Sequence, residues 1–550
     1  MTAIVHEPGP PEKTRARQRN PLPSEVDVAV IGCGLGGLSA AAYLAKAGLK
    51  VAALDAHYVA GGCGTVFARG PSDARYHFDV GLHYIGDCQP SGPIPTMLRE
   101  VGADPVDFLP MDPDGFDTIV LPGGFEFAIP VGQEAYRERL LQAFPAERRG
   151  IDRYLALLRG VRDIGGRLDD NDGKLSPSIA LRTLTRHFGL VRFQNATMAQ
   201  VLDYVTDDPR LRAVILGQNG DYGLPPSKVS ALLHLGLADH YFKGAYYPRG
   251  GGQVLADRLA AAIESNGGSI HLRRPVGKVL VEGGRAVGIE TAPRKNHPTE
   301  QVRAKVVISN ADLMKTLNQL VPPEHLPSAW RDRLNKGYEL PSALFLTCLG
   351  VTGDLRDLGF KNSNYWIFED LDIDHLYRRV ATDETPTPRA AYITSASLKD
   401  PTTPHHAPPN ISTLEIMSLV PGAAHHWGVP PSELSDWGYK RNDEYHRRKQ
   451  HVEDQLITMA ERRFPGLTSR IVFKESATPI THTRYTGATD GISYGIALTP
   501  SQFGKGRPGY DPVLPGLYLC GASTRMNHGI VGAMSSGRAV SRAILKSLAR

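Results

Sequence analysis

Only five cysteines occur among the 550 residues, Cys33, Cys63, Cys88, Cys348 and Cys520, and no two stand at a C-x-x-C spacing. That pattern indicates neither a disulfide framework nor a zinc site, and sparse unpaired thiols suit a reducing, cytoplasmic compartment. Excess charge is also lacking: the formal net charge of +5 is small for this length, which argues against nucleic acid as the main partner. No apolar run reaches the ~18 residues needed to span a bilayer. Residues 1–24 hold five prolines and four Lys or Arg without an apolar stretch, so they read as a disordered leader and not as a secretory signal. His405-His406 and His425-His426 lie in Pro/Ala-rich loops with no Cys or carboxylate at ligand spacing, and read as surface residues; no metal is expected.

What the chain does have is concentrated near its start. Val28, Val30 and Ile31 make an apolar run suited to a buried parallel strand. Gly32, Gly34 and Gly37 then form G-x-G-x-x-G, with Gly36 between them, and open a helix through Leu38 to Ala45. A second apolar strand, Val51 to Leu54, ends at Asp55, 23 residues after Gly32. Gly32 permits a tight turn, Gly34 lets a pyrophosphate approach the backbone, and Gly37 lets helix and strand pack closely. The helix N-terminus offers free N–H groups to phosphates, and Asp55 can accept from a ribose hydroxyl.

Two features favour FAD over NAD. Gly61-Gly62 is a second close-approach loop six residues after Asp55. Far away, residues 515–545 repeat the strand–turn–helix logic: Leu517 to Cys520, then Gly521, then a helix near Ile530, Val531, Gly532 and Ala533. The dipole of that second helix favours negative charge at the N1/O2 edge of a reduced isoalloxazine. Cys63, beside Gly62, falls near the same ring.

The length implies at least two domains. The expected architecture is α/β: a discontinuous Rossmann-type, glutathione-reductase-like FAD-binding domain from residues 25–92, 246–315 and 476–550, and a mixed α/β substrate domain from 93–245 and 316–475. The middle cofactor piece carries a helix over 254–265, strands over 269–272, 276–282 and 286–291, and an apolar strand over 306–312. Short apolar runs flanking Gly123-Gly124 predict a hairpin over 117–130. Residues 173–202 contain no Asp or Glu but hold Lys174, Arg182, Arg186 and Arg192 among apolar residues. This 174–202 segment reads either as a basic amphipathic surface for peripheral contact with anionic lipid or as an ordinary solvated face.

Taken together, the G-x-G-x-x-G, the Gly61-Gly62 loop, Phe78-Asp79-Val80-Gly81 and the C-terminal helix over 529–537 resemble the carotenoid and retinoid branch of the flavin oxidoreductases: phytoene desaturases, carotenoid isomerases and retinol saturases. The resemblance runs from about residue 25 to the end. Cys63 after the two glycines, Leu82 after the F-D-x-G segment, and residues 220–251 around Tyr247-Pro248-Arg249-Gly250-Gly251 are similar to the saturase forms. This implies a non-covalent FAD against Gly32, Gly34, Gly36, Gly37, Asp55, Gly61, Gly62, Gly81, Val276, Gly521, Val531, Gly532 and Ala533. It also implies reduction of a carbon–carbon double bond in a hydrophobic polyene, with desaturation or isomerisation as the alternative. An amine oxidase is disfavoured by the lack of aromatics before the last helix, and a non-catalytic prenyl-lipid carrier by the intact cofactor turns.

Saturation by a flavin needs a hydride donor, an acid and an apolar slot. His83 and Tyr84, just past Gly81, are the proton-donor candidates, His83 reading equally as a core histidine; His528 and Asn527 precede the last helix and are placed to reach the ring. Tyr241, Tyr246 and Tyr247 read either as slot-lining or as packing aromatics. Only one dinucleotide fingerprint is present, so electrons come from a partner flavoprotein, a quinone or a visiting nicotinamide.

Overall fold

The computed structural model describes residues 17, 20–71, 74–170, 176–293, 298–435 and 437–549. The apolar run Glu25–Ile31 is the centre of a seven-stranded sheet, flanked in parallel by Val51–Leu54 and by Gln301–Ser309. Val28, Ala29 and Val30 are fully buried, which is why that strand reads as continuous hydrophobe and not as an alternation. Ser269–His271 extends one edge in parallel. Gln301–Ser309 is shared: its first half pairs antiparallel with Arg285–Thr291, its second half parallel with Leu517–Leu519. Residues more than 200 apart in the chain thus deliver their turns to one end of one sheet.

A second seven-stranded sheet runs in the order Ile471–Ala477, Ala343–Thr352, Ile411–Val420, Ala390–Thr394, Asn364–Phe368, Asp117–Leu121, Phe125–Ile129. The last two strands form the expected hairpin. Five helices frame the site: α1 (Leu35–Lys46), α2 (Arg148–Asp170), α3 (Pro177–Arg186), α4 (Ala231–Phe242) and α5 (Gly529–Leu548). α1 and α5 cover the first sheet; α2 and α4 pack into one apolar core with one face of the second, and the Asp443–Arg463 helix covers its other face.

Two expectations are corrected. Most of the leader lies outside the described residues, but Arg17 is buried and bonds both oxygens of Glu264, and Asn20 bonds the Ile270 carbonyl. This part of residues 1–24 is therefore docked along the sheet edge, not disordered. His406 is not a surface residue: it is buried, its Nε2 lies 3.0 Å from Asp400, and its carbonyl accepts from His77.

In the acid-free segment, Lys174 falls outside the described residues, and the rest forms α3, a short helix Phe188–Phe193 and the helix Met198–Val205. Leu181, Leu184 and Phe188 stand out at 63%, 54% and 64% exposure. Among the described residues no helix is long and apolar enough to cross a membrane.

Candidate active site

One cavity of about 2150 Å³ joins the two sheets. A site for a single small ligand occupies roughly 300–1,000 Å³, so this one has room for two. Its first end is the turn after Glu25–Ile31. Gly32 turns there at φ +94°, outside the range of side-chain-bearing residues, and α1 begins at Gly34 with no side-chain cap and no acid in its first turn. Asp55 is fixed by accepting the Cys33 and His57 amides at 2.6 and 2.7 Å. Gly61, at φ +132°, brings the Gly61-Gly62 loop over the same opening.

The second turn precedes α5. Its first turn also lacks an acid, and its N-cap, His528, donates no side-chain cap. Asn527 sits at φ +66°. The Oδ1 of Asn527 and the Nε2 atoms of His528 and His83 are buried at the cavity without a partner. Burial and the nearby Arg507 hold His528 down to about 4, so its ring is neutral. Two uncapped helix N-termini and three orphaned polar atoms facing one space fit a dinucleotide with a polar ring, because each is a group that pays desolvation until a ligand satisfies it. The donors that would hold the phosphates are α1 amides, with Asp55 for the ribose and the α5 terminus for the ring. Bound there, a flavin supplies two electrons as a hydride equivalent.

Beyond the ring end the cavity becomes an apolar slot. Leu346, Trp366 and Met417 of the second sheet and Leu233, Gly236 and Leu237 of α4 line it. A Cβ at Gly236 would meet nothing within 4 Å, so this helix position is kept empty without any packing reason.

Two buried polar clusters flank the slot. In one, Glu415 accepts from the Asp79 amide at 2.8 Å, lies 3.0 Å from His83 Nδ1, and so fixes the ring with Nε2 toward the cavity. Lys399 donates to the His83 carbonyl and Thr394; burial lowers its ammonium to about 8. In the other, the Tyr84 hydroxyl lies 3.0 Å from Asp117 and 3.3 Å from Asp221, and its ring stacks on Tyr241 with centroids 4.3 Å apart. A third pair stands at the loop: Cys63 Sγ lies 3.4 Å from His482 Nε2. Burial works against the thiolate, but His482 outweighs it and the Cys63 pKa falls.

Of the residues singled out in the sequence, Gly32, Gly34, Gly36, Asp55, Gly61, Gly62, Gly81, Val276, Gly521, Val531, Gly532 and Ala533 line this cavity, as do His83, Tyr84, Tyr241, Asn527 and His528. Gly37 does not; a Cβ there would overlap the Gly32 carbonyl oxygen, so its place is between strand and helix. Tyr246 and Tyr247 do not reach the cavity. Their strand, Ala245–Pro248, pairs with Ile85–Gly86 and Phe108–Pro110, and Tyr247 is fully buried with its hydroxyl on Asp79.

Sequence reasoning passed over Asn310, His482, Asp221 and Arg507. Asn310 ends the third buried strand and wedges between the two turns: a Cβ on Gly36 or on Gly521 would come within 2.6 Å of its Oδ1. The Ser309-Asn310 step after an apolar run was its signal. His482, Asp221 and Arg507 had none, since nothing local marks a polar residue as buried.

Comparison with known proteins agrees with this geometry. The family of flavin-containing amine oxidoreductases matches residues 35–545. An all-trans-retinol 13,14-reductase from Macaca fascicularis is 31% identical over 549 residues, 96% of this chain and 86% of that protein. A chloroplastic prolycopene isomerase from Daucus carota is 26% identical, covering 93% of this chain and 79% of that one. Among solved structures, an oxidoreductase from Methanosarcina mazei superposes with a TM-score of 0.58 at 18% identity, over 94% of this chain and all of that one.

Proposed function

Because the chain belongs to the flavin-containing amine oxidoreductases, and within them to the family of the all-trans-retinol 13,14-reductases, we propose that it saturates a carbon–carbon double bond of a retinoid- or carotenoid-like polyene with a non-covalently held FAD. The observation that carries this reading is the continuity of the cavity: an apolar slot walled by Leu346, Trp366, Met417, Leu233 and Leu237 opens onto the turn before α5. A rigid conjugated chain needs such a slot, because orientation against the ring supplies much of the barrier reduction. Isomerisation or desaturation is the second reading, favoured by the likeness to the prolycopene isomerase.

Anaerobic reduction followed by mixing with all-trans-retinol tests it. The expected result is return of oxidised-flavin absorbance and a product two hydrogens heavier. Gly236→Phe, which fills the slot from α4 without touching either cofactor turn, is expected to weaken retinol binding by at least about tenfold, the worth of ~1.4 kcal/mol, while flavin content stays at the wild-type level. A reduced flavin untouched by retinol but reoxidised by a carotenoid precursor would move the assignment within the family; indifference to every polyene would end it.

We also propose that the slot is filled from a lipid surface, through Leu181, Leu184 and Phe188. α3 is tied by Arg182 to Asp163 of α2, two and three residues from the cavity-lining Gly165 and Gly166. Exposed apolar side chains beside an acid-free, arginine-bearing face suit an anionic interface. Replacing all three by serine should remove most of the protein from vesicles containing anionic lipid in a flotation assay. Unchanged flotation would show that this face is merely solvated.

A further inference from the structure

Asp221 and Asp117 are two carboxyl groups brought together at the slot from positions more than 100 residues apart, and neither is in a salt bridge with a described residue. Their environments differ. Asp117 is fully buried and takes three donors: Asn364 Nδ2 at 2.9 Å on one oxygen, Gln218 Nε2 at 2.7 Å and the Tyr84 hydroxyl at 3.0 Å on the other. It is thereby satisfied as a carboxylate. Tyr84 has one proton, and the shorter contact spends it on Asp117. The Asp221 Oδ2 lies 3.3 Å from the same Tyr84 oxygen, a longer and weaker contact than that of Asp117. Tyr241 also hydrogen-bonds Asp221; these two tyrosine contacts favour its carboxylate, and burial together with Asp117 opposes them. Asp221 also keeps part of its surface open to the cavity, whereas Asp117 does not line it.

Position completes the case. The ring of His528, the residue before α5, rests against the Asp221 backbone, and Tyr494 anchors the same loop by donating to the Gly220 carbonyl at 2.7 Å. Asp221 therefore stands where the slot meets the ring end. Resting on the saturase reading above, we propose that Asp221 is the catalytic acid that protonates the polyene, with Tyr84 and Asp117 as positioning residues. A bound two-electron-reduced flavin would supply the hydride, with its electron pair, for the C–H bond at one alkene carbon. The Asp221 O–H bond breaks as a second C–H bond forms at the other carbon, the alkene π pair supplying its electrons. The Asp221 carboxylate that remains takes a proton from water between turnovers.

The electrostatics are of the right sign. Burial first, then the neighbouring Asp117, push Asp221 up to about 8, while the donors around Asp117 hold that group to about 6 despite its burial. The groups facing Asp221 are Asp117 from its strand, Tyr84, the adjacent Tyr222, Tyr241 of α4, Tyr377, Tyr392 of the second sheet, and Tyr494 and His528 from the C-terminal piece. The tyrosines are held neutral by pKa values raised through burial, and His528 is neutral too, so none supplies a cation that would ionise Asp221 below about 8.

Asp221→Asn keeps the shape and the neutral form but has no acidic proton. Two readouts test it. In infrared spectra of the purified protein, the wild type should show a protonated-carboxyl band at neutral pH that fades above pH about 8 and is absent from Asp221→Asn. In anaerobic mixing, reoxidation of the reduced protein by all-trans-retinol should fall about 10²- to 10⁴-fold in Asp221→Asn, with flavin content and retinol binding kept, and Asp221→Glu should recover part of it. The wild-type rate should fall as pH rises through about 8. Equal reoxidation of wild type and Asp221→Asn overturns the proposal alone, as does loss of the rate in His83→Gln with none in Asp221→Asn. Failure of the wild type with every polyene overturns the saturase reading, and this proposal with it.

Discussion

Gly37→Ala is expected to purify colourless, or to bind flavin at least about 100-fold more weakly than the wild type, although no atom of Gly37 lines the cavity. In an ordinary helix the change would stabilise by roughly 0.5–1 kcal/mol, since alanine is the better helix former. Here the added methyl would overlap the Gly32 carbonyl oxygen, with Asn310 Cβ at 3.1 Å behind it. The obstacle is backbone, so the strand end and α1 must move apart. The α1 amides then lose their aim at a phosphate. An anion gains about 0.3–1 kcal/mol from a helix terminus and about 1.5–3 kcal/mol from each charge-assisted hydrogen bond, and losing ~2.8 kcal/mol of them is 100-fold in affinity. Flavin absorbance per protein, with a titration of added FAD, measures this. Stoichiometric flavin in the variant would mean that the turn tolerates displacement and that Gly37 has no part in cofactor binding.

Arg507→Leu is expected to cost on the order of 3–5 kcal/mol of stability and to release the cofactor as well. Arg507 is 1% exposed and pairs with no carboxylate among the described residues. Its guanidinium instead donates to five backbone carbonyls: Thr524 at 2.9 Å, Ile496 at 3.0 Å, Ala497 at 3.3 Å, Gln502 at 3.2 Å and Ala522 at 2.6 Å. These carbonyls belong to the loop that delivers Asn527 and His528 to α5 and to the segment leading from Tyr494. Burial lowers the Arg507 pKa to about 10, still charged at neutral pH. Leucine fills much of the volume but leaves the carbonyls without donors in a space closed to water. Arg507→Lys, with three donors on a point charge, should fall between the two. Denaturant midpoints for the three proteins decide the matter. A cost below about 1 kcal/mol for Arg507→Leu would show that water reaches these carbonyls, contrary to their burial.

The α/β class and the two glycine turns that line the cavity were legible in the sequence because their information is local. A buried strand, Gly32 to Gly37, a helix and Asp55 fall within one short stretch, and the 517–533 segment repeats the order. Each glycine answers a constraint set by residues close in sequence. Local information also has a fixed reach. Tyr246 and Tyr247 read either as slot-lining or as packing aromatics, and only the fold, which pairs their strand with Ile85–Gly86 and Phe108–Pro110, leaves both off the cavity. His406 looked solvated in a polar loop, and packing buried it on Asp400. The polar heart of the site lies wholly beyond that reach. Tyr84, Asp117, Asp221, Tyr241 and Tyr392 come from five separate segments, and Arg507 meets its carbonyls only after the C-terminal loop has folded. Whether a carboxyl holds its proton depends on how far it is removed from water and on which charges share its cavity. Those quantities exist only once both sheets have closed around the slot.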